Sequence, residues 1–401
     1  MGQTNSVAVL VIGGGIGGLA AALAISRAGK QVCVLEQAPE FGEIGAGLQL
    51  GPNAMAVLDK LGLYNEASKY AVFPERLVIM DAIKGRELSA LDLGREFISR
   101  YGYPYAVMHR SDLHTVLAEA CRREGNMSLL TNKKVVSIQD HGAEVEVLCQ
   151  DGSVYLAEAV IGADGLWSTA RKLLVEDKPI ADGFVAYRGA VPLSGMTAHA
   201  RLEDVVMWIG PDMHFVQYPI RSNELYNQVA VFKSKRYHEG AEDWGTPDEL
   251  DAHYAMCCPT IQKAIQYIHR DQHWKMFDRE PIDNWTQGRI TLLGDSAHPM
   301  YQYMAQGACQ AIEDSDCLGR MFSLHGTNID TVFAEYQKER IPRTARVQRS
   351  VRTWGEIIHA SNPTTVLLRN TIMEQRASTD YSVVEWLYGG HKVKAENQAV
   401  I

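Results

Sequence analysis

Three glycine-containing segments, far apart in the chain, hold the residue types that bind an anionic, sugar-bearing cofactor. Gly13-x-Gly15-x-x-Gly18 follows a short β-branched run at residues 7–12 and opens an Ala/Leu-rich stretch, and Glu36 comes about twenty residues later. In such a strand–turn–helix unit the first glycine permits the tight turn, the second lets the backbone approach a pyrophosphate, and the third lets helix and strand pack closely. Amides at the helix start attract the anion, and an acid ending the next strand accepts from ribose hydroxyls. The second segment is Gly162-Ala163-Asp164-Gly165-Leu166-Trp167-Ser168-Thr169-Ala170-Arg171. Alone it reads equally as a capped turn, because Asp, Gly and Ser are ordinary turn residues. The third is Gly294-Asp295-Ser296-Ala297-His298-Pro299, with Gln306-Gly307-Ala308 and then Glu313-Asp314 beyond it. Asp295 can accept from sugar-like hydroxyls, and amides at a helix start near Gly307 can donate to a carbonyl that gains negative charge.

A different chemistry is suggested at residues 213–219. Read as a strand, they place positions 214, 216 and 218 on one face, with His214 and Tyr218 ~13 Å apart at about 3.3 Å per residue, so both can flank a ring bound in one cavity. The plain alternative is a sheet whose polar face meets water. Other candidates are weaker. The seven cysteines are odd in number and scattered, without a CxxC frame for zinc or for a secreted fold, which fits a reducing cytoplasm; adjacent Cys257 and Cys258 read as buried thiols. His109 and His114, five apart, share no helix face, so no metal site is expected. Arg340, Arg343, Arg346, Arg349 and Arg352 recur every three residues, as a phosphate tract or, more commonly, a solvated or interface-facing helix side.

These groups need elements to hold them. Residues 7–12 and 31–36 read as strands around a helix at 19–28 closed by Gly29, a βαβ opening that predicts a parallel sheet covered by helices. Helices are expected at 52–61 and at 111–123, the latter with Ser111 or Asp112 as cap. Alternation and turn signals over 134–160 predict a small antiparallel meander. Strand-like runs at 184–191, 205–209, 213–220 and 226–232, interrupted by a helix at 247–256, predict a mostly β second domain. A buried strand follows at 290–294, then helices at 307–322 and 328–352, the latter kinked or broken at Pro342.

Composition narrows the function classes. At about 150 residues per domain, 401 residues make roughly two to three domains. A formal charge of −9, from 39 basic and 48 acidic residues, disfavours nucleic acid as a partner. Residues 7–26 carry no charge and are long enough to span a bilayer, but five glycines and the lack of a preceding basic stretch argue for strand, turn and helix, with no transmembrane segment or signal peptide.

The three glycine segments, in this order and over most of the chain, resemble the flavoprotein aromatic hydroxylases, single-component FAD monooxygenases of the para-hydroxybenzoate hydroxylase type. The resemblance implies an α/β chain with a Rossmann-like FAD-binding domain (residues 1–75, 101–180 and 276–325), a mostly β substrate-binding domain (76–100 and 181–275) and a C-terminal helical region (326–401). It implies FAD as cofactor. Gly13, Gly15, Gly18, Glu36 and Gln37 would hold its adenosine half, with Arg110 near the pyrophosphate and Val135 touching adenine through its backbone. Asp295 would take the ribityl hydroxyls; Gly47, in Gly45-Ala46-Gly47, together with Gly307 and Ala308 would lie at the flavin ring. NADH or NADPH would visit as reductant, since no second GxGxxG unit occurs, and oxygen would be carried to the substrate as a flavin C4a-hydroperoxide. A cytoplasmic homodimer is usual in the group.

The chain departs from the group where a proline is common after the GDxAH histidine: here stands Gln302, with Ala305 and Cys309 nearby. An amide offers a donor and an acceptor that proline lacks, which points to substrate recognition. Ala186-Tyr187-Arg188-Gly189, His214-Phe215-Val216-Gln217-Tyr218-Pro219, Tyr301-Gln302-Tyr303 and residues 105–114 and 227–232 resemble the subgroup that converts 3-hydroxybenzoate to gentisate. There the residues matching His214, Tyr218 and Gln302 line the aromatic site. Deprotonating a ring hydroxyl enriches the ring ortho and para to it, and histidine is a base near neutrality, so His214 is expected to activate the phenol. Arg188 either meets the substrate carboxylate or belongs to a structural pair. Alternatives within the class are salicylate and 6-hydroxynicotinate monooxygenation; outside it stand a reductase-like flavoenzyme and a non-hydroxylating flavin-binding or redox-sensing protein.

Overall fold

In the computed structural model, which describes residues 4–42, 47–193 and 203–389, the first strand Thr4–Ile12 lies inside an eight-stranded sheet. Its strands run in the order Thr286–Gln287, Ile290–Leu292, Val154–Gly162, Thr4–Ile12, Val32–Leu35 and Met127–Leu130. Along this path all neighbours are parallel except the first pair, and Val145–Cys149 and Val135–Asp140 complete the eight by pairing antiparallel off Val154–Gly162. Val9 to Ile12 and Val32 to Leu35 are buried on both faces, as continuous apolar runs in a helix-covered parallel sheet must be. The helices Ile16–Arg27 and Gly307–His325 meet closely, where a Cβ on Gly319 would stand 2.8 Å from that of Ala24.

Strand order explains the distant motifs. Ile12 pairs with Gly162, and Gly162 with Leu292, so the three glycine segments emerge side by side at the carboxyl ends of adjacent parallel strands. That is where open α/β sheets bind ligands.

A second, seven-stranded sheet runs His273–Lys275, Phe184–Pro192, Leu225–Lys233, Met213–Ile220, Asp204–Gly210, Arg76–Asp81 and Glu87–Asp92. One face packs Val185, Tyr187, Phe215 and Phe232 against Leu250, Tyr254 and Ile261 of the helices Pro247–Tyr254 and Pro259–Ala264. The other carries Arg188, Met207, His214, Val216, Tyr218 and Val229 into a cavity.

Several local expectations need correction. The strands Val135–Asp140, Val145–Cys149 and Val154–Gly162 do form an antiparallel meander, but the last is also a central strand of the parallel sheet. The helix Arg110–Arg123 is capped by His109, whose Nδ1 accepts from the Ser111 amide at 3.3 Å; Ser111 and Asp112 lie inside its first turn. The helix Ile329–Ile358 is unbroken at Pro342. Tertiary anchors on both sides hold it: Arg340 donates to Asp314 at 2.6 Å and to Glu313 at 2.7 Å, and Arg343 also pairs with Glu313. The arginine run is therefore neither a phosphate tract nor a uniformly solvated face. Arg352 pairs with Asp278 and Glu280, and Arg346 lies 4.3 Å from the centre of the Trp386 ring. All seven cysteines, including Cys257 and Cys258, are buried free thiols. Among the described residues no helix is long and apolar enough to cross a membrane.

Candidate active site

At the first glycine segment the backbone closes on itself. Gly13 has φ +106°, and a Cβ there would lie 2.3 Å from the Ala163 carbonyl oxygen of the second segment. A Cβ on Gly18 would lie 2.0 Å from the Gly13 carbonyl oxygen, so no larger residue fits without moving the helix off the strand. Gly15 begins the helix Ile16–Arg27 without a side-chain cap, leaving the first-turn amides to meet an anion. Glu36 is locked in place: Oε2 accepts from the Gly14 amide at 2.7 Å and Oε1 from the Ala38 amide at 2.8 Å. The exposed Gln37 follows it, and the segment leading to Val135 runs alongside, with the Lys133 amide donating to the Glu36 carbonyl at 2.8 Å.

The second segment is more than a capped turn. Asp164 accepts from the Thr169 amide at 2.6 Å, from Ser168 at 2.5 Å and from Ser296 Oγ at 3.2 Å. Arg171, fully buried, donates to the carbonyls of Ser296 at 2.9 Å and Ala297 at 2.8 Å. The conformation of the third segment is thus braced by the second. From the other side, Gly294 (φ +62°) donates its amide to Asp314 at 3.1 Å, and His298 Nε2 lies 2.6 Å from the same carboxylate. Burial opposes ionisation of Asp314, yet His298 and Arg340 hold its carboxyl below the usual range. Asp295 is left exposed at the cavity rim. Burial lowers the pKa of Arg110 across from it, and the Asp295 charge opposes that shift.

A single cavity of about 880 Å³ connects these turns to the second sheet. Gly15, Gly18, Gly47, Arg110, Asp295, Gly307 and Ala308 line it, as do Arg188, His214, Tyr218 and Gln302. Gly13, Glu36, Gln37 and Val135 lie outside its lining. Gly45 and Ala46 fall outside the described residues.

At the far end every residue of the Met213–Ile220 strand is buried, which removes the alternative of a polar face in water. His214 Nδ1 lies 2.7 Å from His359 Nε2, and burial pushes the His214 imidazole down to about 3. Burial raises the Tyr218 hydroxyl well above its ordinary value, opposed by Arg188 and a hydrogen bond with Gln49. Gln49 Oε1 also accepts from the Tyr105 hydroxyl at 2.7 Å. A Cβ on Gly47 would lie 2.5 Å from the Tyr218 ring, and the Gly47 amide donates to Asn227 Oδ1 at 2.8 Å. Asn227 stands opposite Tyr218 in the sheet, so the strand Gly47–Leu50 is pinned directly against the aromatic chamber. Cys309 supports it from the helix side, accepting from the Gly51 amide at 3.5 Å.

Gln302 uses its carbonyl oxygen to accept from Arg188 Nη2 at 3.1 Å. Arg188 lies 5.0 Å from the centre of the Trp274 ring, and its buried Nε has no hydrogen-bond partner among the described residues. Burial lowers its pKa, with Tyr218 opposing. A buried guanidinium with an unused donor is costly unless an anion arrives to take it. Tyr105 and Asn227 lie in stretches that carried the resemblance, whereas His359, at the end of the long helix, is marked by no local pattern.

The cavity and its rim fit FAD. The glycine turn admits no Cβ at Gly13 or Gly18, uncapped amides start the helix at Gly15 on the cavity wall, Glu36 is fixed at the end of the second strand, and the cavity continues to the second sheet. Fold and site define a flavin-dependent oxygenase. Residues 6–351 match the family described as FAD binding domain. The chain belongs to that family and is an FAD-dependent monooxygenase. It is 41% identical over 382 residues to the 3-hydroxybenzoate 6-hydroxylase of Polaromonas naphthalenivorans (strain CJ2), covering 95% of each chain. It is 39% identical over 381 residues to the 3-hydroxybenzoate 6-hydroxylase of Klebsiella oxytoca, covering 95% of this chain and 96% of the relative. A Klebsiella pneumoniae HpxO structure solved with FAD shares the fold at 23% identity, with a TM-score of 0.83 over 96% of this chain and 97% of that one.

Proposed function

We propose that the protein hydroxylates 3-hydroxybenzoate para to its hydroxyl group to give gentisate (2,5-dihydroxybenzoate), using O2 and a visiting NADH or NADPH. The observation that carries this reading is the convergence of the half-buried Arg188 and Gln302 with the buried His214 and Tyr218 at one end of the cavity whose other end is the glycine turn. The names of the relatives support it.

Bound FAD supplies the redox chemistry that activates oxygen. Gly13, Gly15, Gly18, Glu36, Gln37, Arg110 and Val135 would hold its adenosine and pyrophosphate, Asp295 its ribityl chain, and Gly47, Gly307 and Ala308 its ring. The chain's remaining task is to seat and ready the substrate. Arg188, which lines the cavity, receives the carboxylate, with Gln302 fixing its guanidinium at Nη2. His214 is neutral throughout the physiological range, because burial lowers its pKa to about 3. Its lone pair is therefore available, but burial makes it a weaker base than the near-neutral imidazole expected from the sequence, so the transfer depends on the new imidazolium pairing directly with the phenolate formed beside it. Tyr218, held protonated by burial, donates to the phenolate oxygen. Selectivity for the para carbon is then a matter of how the walls aim the ring.

A cytoplasmic homodimer completes the reading. Buried free cysteines support the reducing compartment, and Leu367, Leu368 and Ile372, at 66%, 58% and 70% exposure, give the C-terminal helix Pro363–Glu374 an apolar surface suited to a second copy. The test is product analysis: FAD-loaded protein, NADH and a panel of hydroxybenzoates plus 6-hydroxynicotinate, followed by chromatography. Gentisate from 3-hydroxybenzoate without carbon dioxide release is the expected result. Release of carbon dioxide from another acid, or NADH oxidation without any hydroxylated product, contradicts the proposal.

A further inference from the structure

The mechanism leaves one buried group unused. His359 ends the helix Ile329–Ile358, yet its Nε2 lies 2.7 Å from Nδ1 of His214, 145 residues away in the chain. The two imidazoles meet edge to edge, with centroids 5.0 Å apart and planes inclined by 23°. His359 is fixed from every side. It stacks on Phe184 at 4.4 Å, meets the edge of Tyr303 at 4.9 Å, and accepts at its backbone carbonyl from the Asp212 amide at 3.0 Å. Tyr303 also packs edge-on against His214 at 5.5 Å, and Tyr254 bonds the His214 carbonyl at 2.7 Å.

A nitrogen–nitrogen hydrogen bond holds one proton, and its owner decides the chemistry of the far side of each ring. If His214 donates from Nδ1, its Nε2 is a bare lone pair. If His214 accepts, its Nε2 carries hydrogen and cannot take a proton. We propose that His359 is a positioning residue for phenol deprotonation: its Nε2 accepts from His214 and so holds His214 in the tautomer whose Nε2 is free to receive the phenol proton. The proposal rests on the reading of His214 as the base.

The surroundings of His359 favour the accepting role. The charged groups facing it are Lys233, at the end of the strand Leu225–Lys233, and Arg369, on the helix Pro363–Glu374; Tyr303 and His214 are the titratable ones. Burial, His214 and the two cations together keep the His359 imidazole well below its ordinary pKa and hence neutral. A cationic His359 would have to donate from Nε2 and would force the unproductive tautomer on His214. Burial, Lys233 and Arg369 disfavour that state and leave His359 a neutral ring whose Nε2 can accept. In the step itself the phenol O–H bond breaks and an N–H bond forms at His214 Nε2. The Nδ1 proton stays on His214, and the bond it makes to His359 becomes charge-assisted, stabilising the imidazolium. No other proton or electron moves.

The experiment needs no turnover. Oxidised FAD-loaded protein is titrated with 3-hydroxybenzoate at a series of pH values without reductant, and the phenolate is followed by ultraviolet difference absorption in the unmodified chain and in His359→Phe, His359→Gln and His214→Gln. His359→Phe can keep the stack on Phe184 but removes the acceptor. It should weaken the base and move the pH midpoint of bound phenolate upward by about one unit, the scale of a lost hydrogen bond to a charged group. His359→Gln, whose Oε1 can accept, should recover most of that shift. In the unmodified protein, ¹⁵N-histidine spectra should show the His214 proton on Nδ1. A midpoint in His359→Phe equal to that of the unmodified chain, or a His214 proton found on Nε2, overturns the assignment while leaving His214 as base. Phenolate that persists unchanged in His214→Gln overturns both.

Discussion

The two ends of the cavity are built by opposite means. Around Gly13, Gly15 and Gly18 the shape is made by backbone and by the lack of side chains: a Cβ on Gly13 or Gly18 would meet a carbonyl oxygen at 2.3 or 2.0 Å. Around His214 the shape is made by side chains from separate elements held to particular partners, such as His359 for His214 and Gln302 for Arg188. The first end is damaged by adding an atom and the second by removing one. Cofactor binding here is a property of the scaffold, whereas substrate choice is a property of replaceable side chains.

The sharpest way to break this contrast is to add a single methyl group at the first end. Gly18→Ala should drive the helix Ile16–Arg27 away from the Gly13 carbonyl, lowering flavin content of the purified protein by more than about tenfold and stability by roughly 1–3 kcal/mol, the usual cost of overpacking. Flavin absorbance per mole of protein and a thermal melt of the apoprotein measure both. Full flavin occupancy would show the turn to be softer than its geometry implies. A smaller effect is expected from removing a charge at the second end. Arg188→Gln should retain FAD but raise KM for 3-hydroxybenzoate about 10- to 100-fold, the scale of a lost charge-assisted hydrogen bond. Binding of 3-methylphenol, which has no carboxylate, should change little. Equal losses for both ligands would mean that Arg188 shapes the chamber and does not read the acid.

The same division decides what the sequence made legible. Turn chemistry is local, so the first glycine unit, its following acid and the third turn could be read from spacing, and the order of parallel strands then set them side by side. Asp164 and Arg171 were ambiguous because their partners, Ser296 and Ala297, are more than a hundred residues away. The one-face placement of His214 and Tyr218 followed from strand periodicity, but burial of both faces of that strand depends on helices elsewhere in the chain. The arginine run was misread for the same reason: spacing gives its period, while Glu313 and Asp314 on another helix decide that Arg340 faces inward. Pro342 likewise stays helical through tertiary anchoring that no local propensity reports. His359 had no signal, being a lone histidine at a helix end.

The central claim is that both ends belong to one functional cavity. Adding 3-hydroxybenzoate to the oxidised FAD-loaded protein under anaerobic conditions, while recording the visible flavin bands and the ultraviolet phenolate band together, tests it most directly. Both signals should change along one saturation curve. Saturable binding of 3-hydroxybenzoate that leaves the flavin bands unaltered would contradict the account.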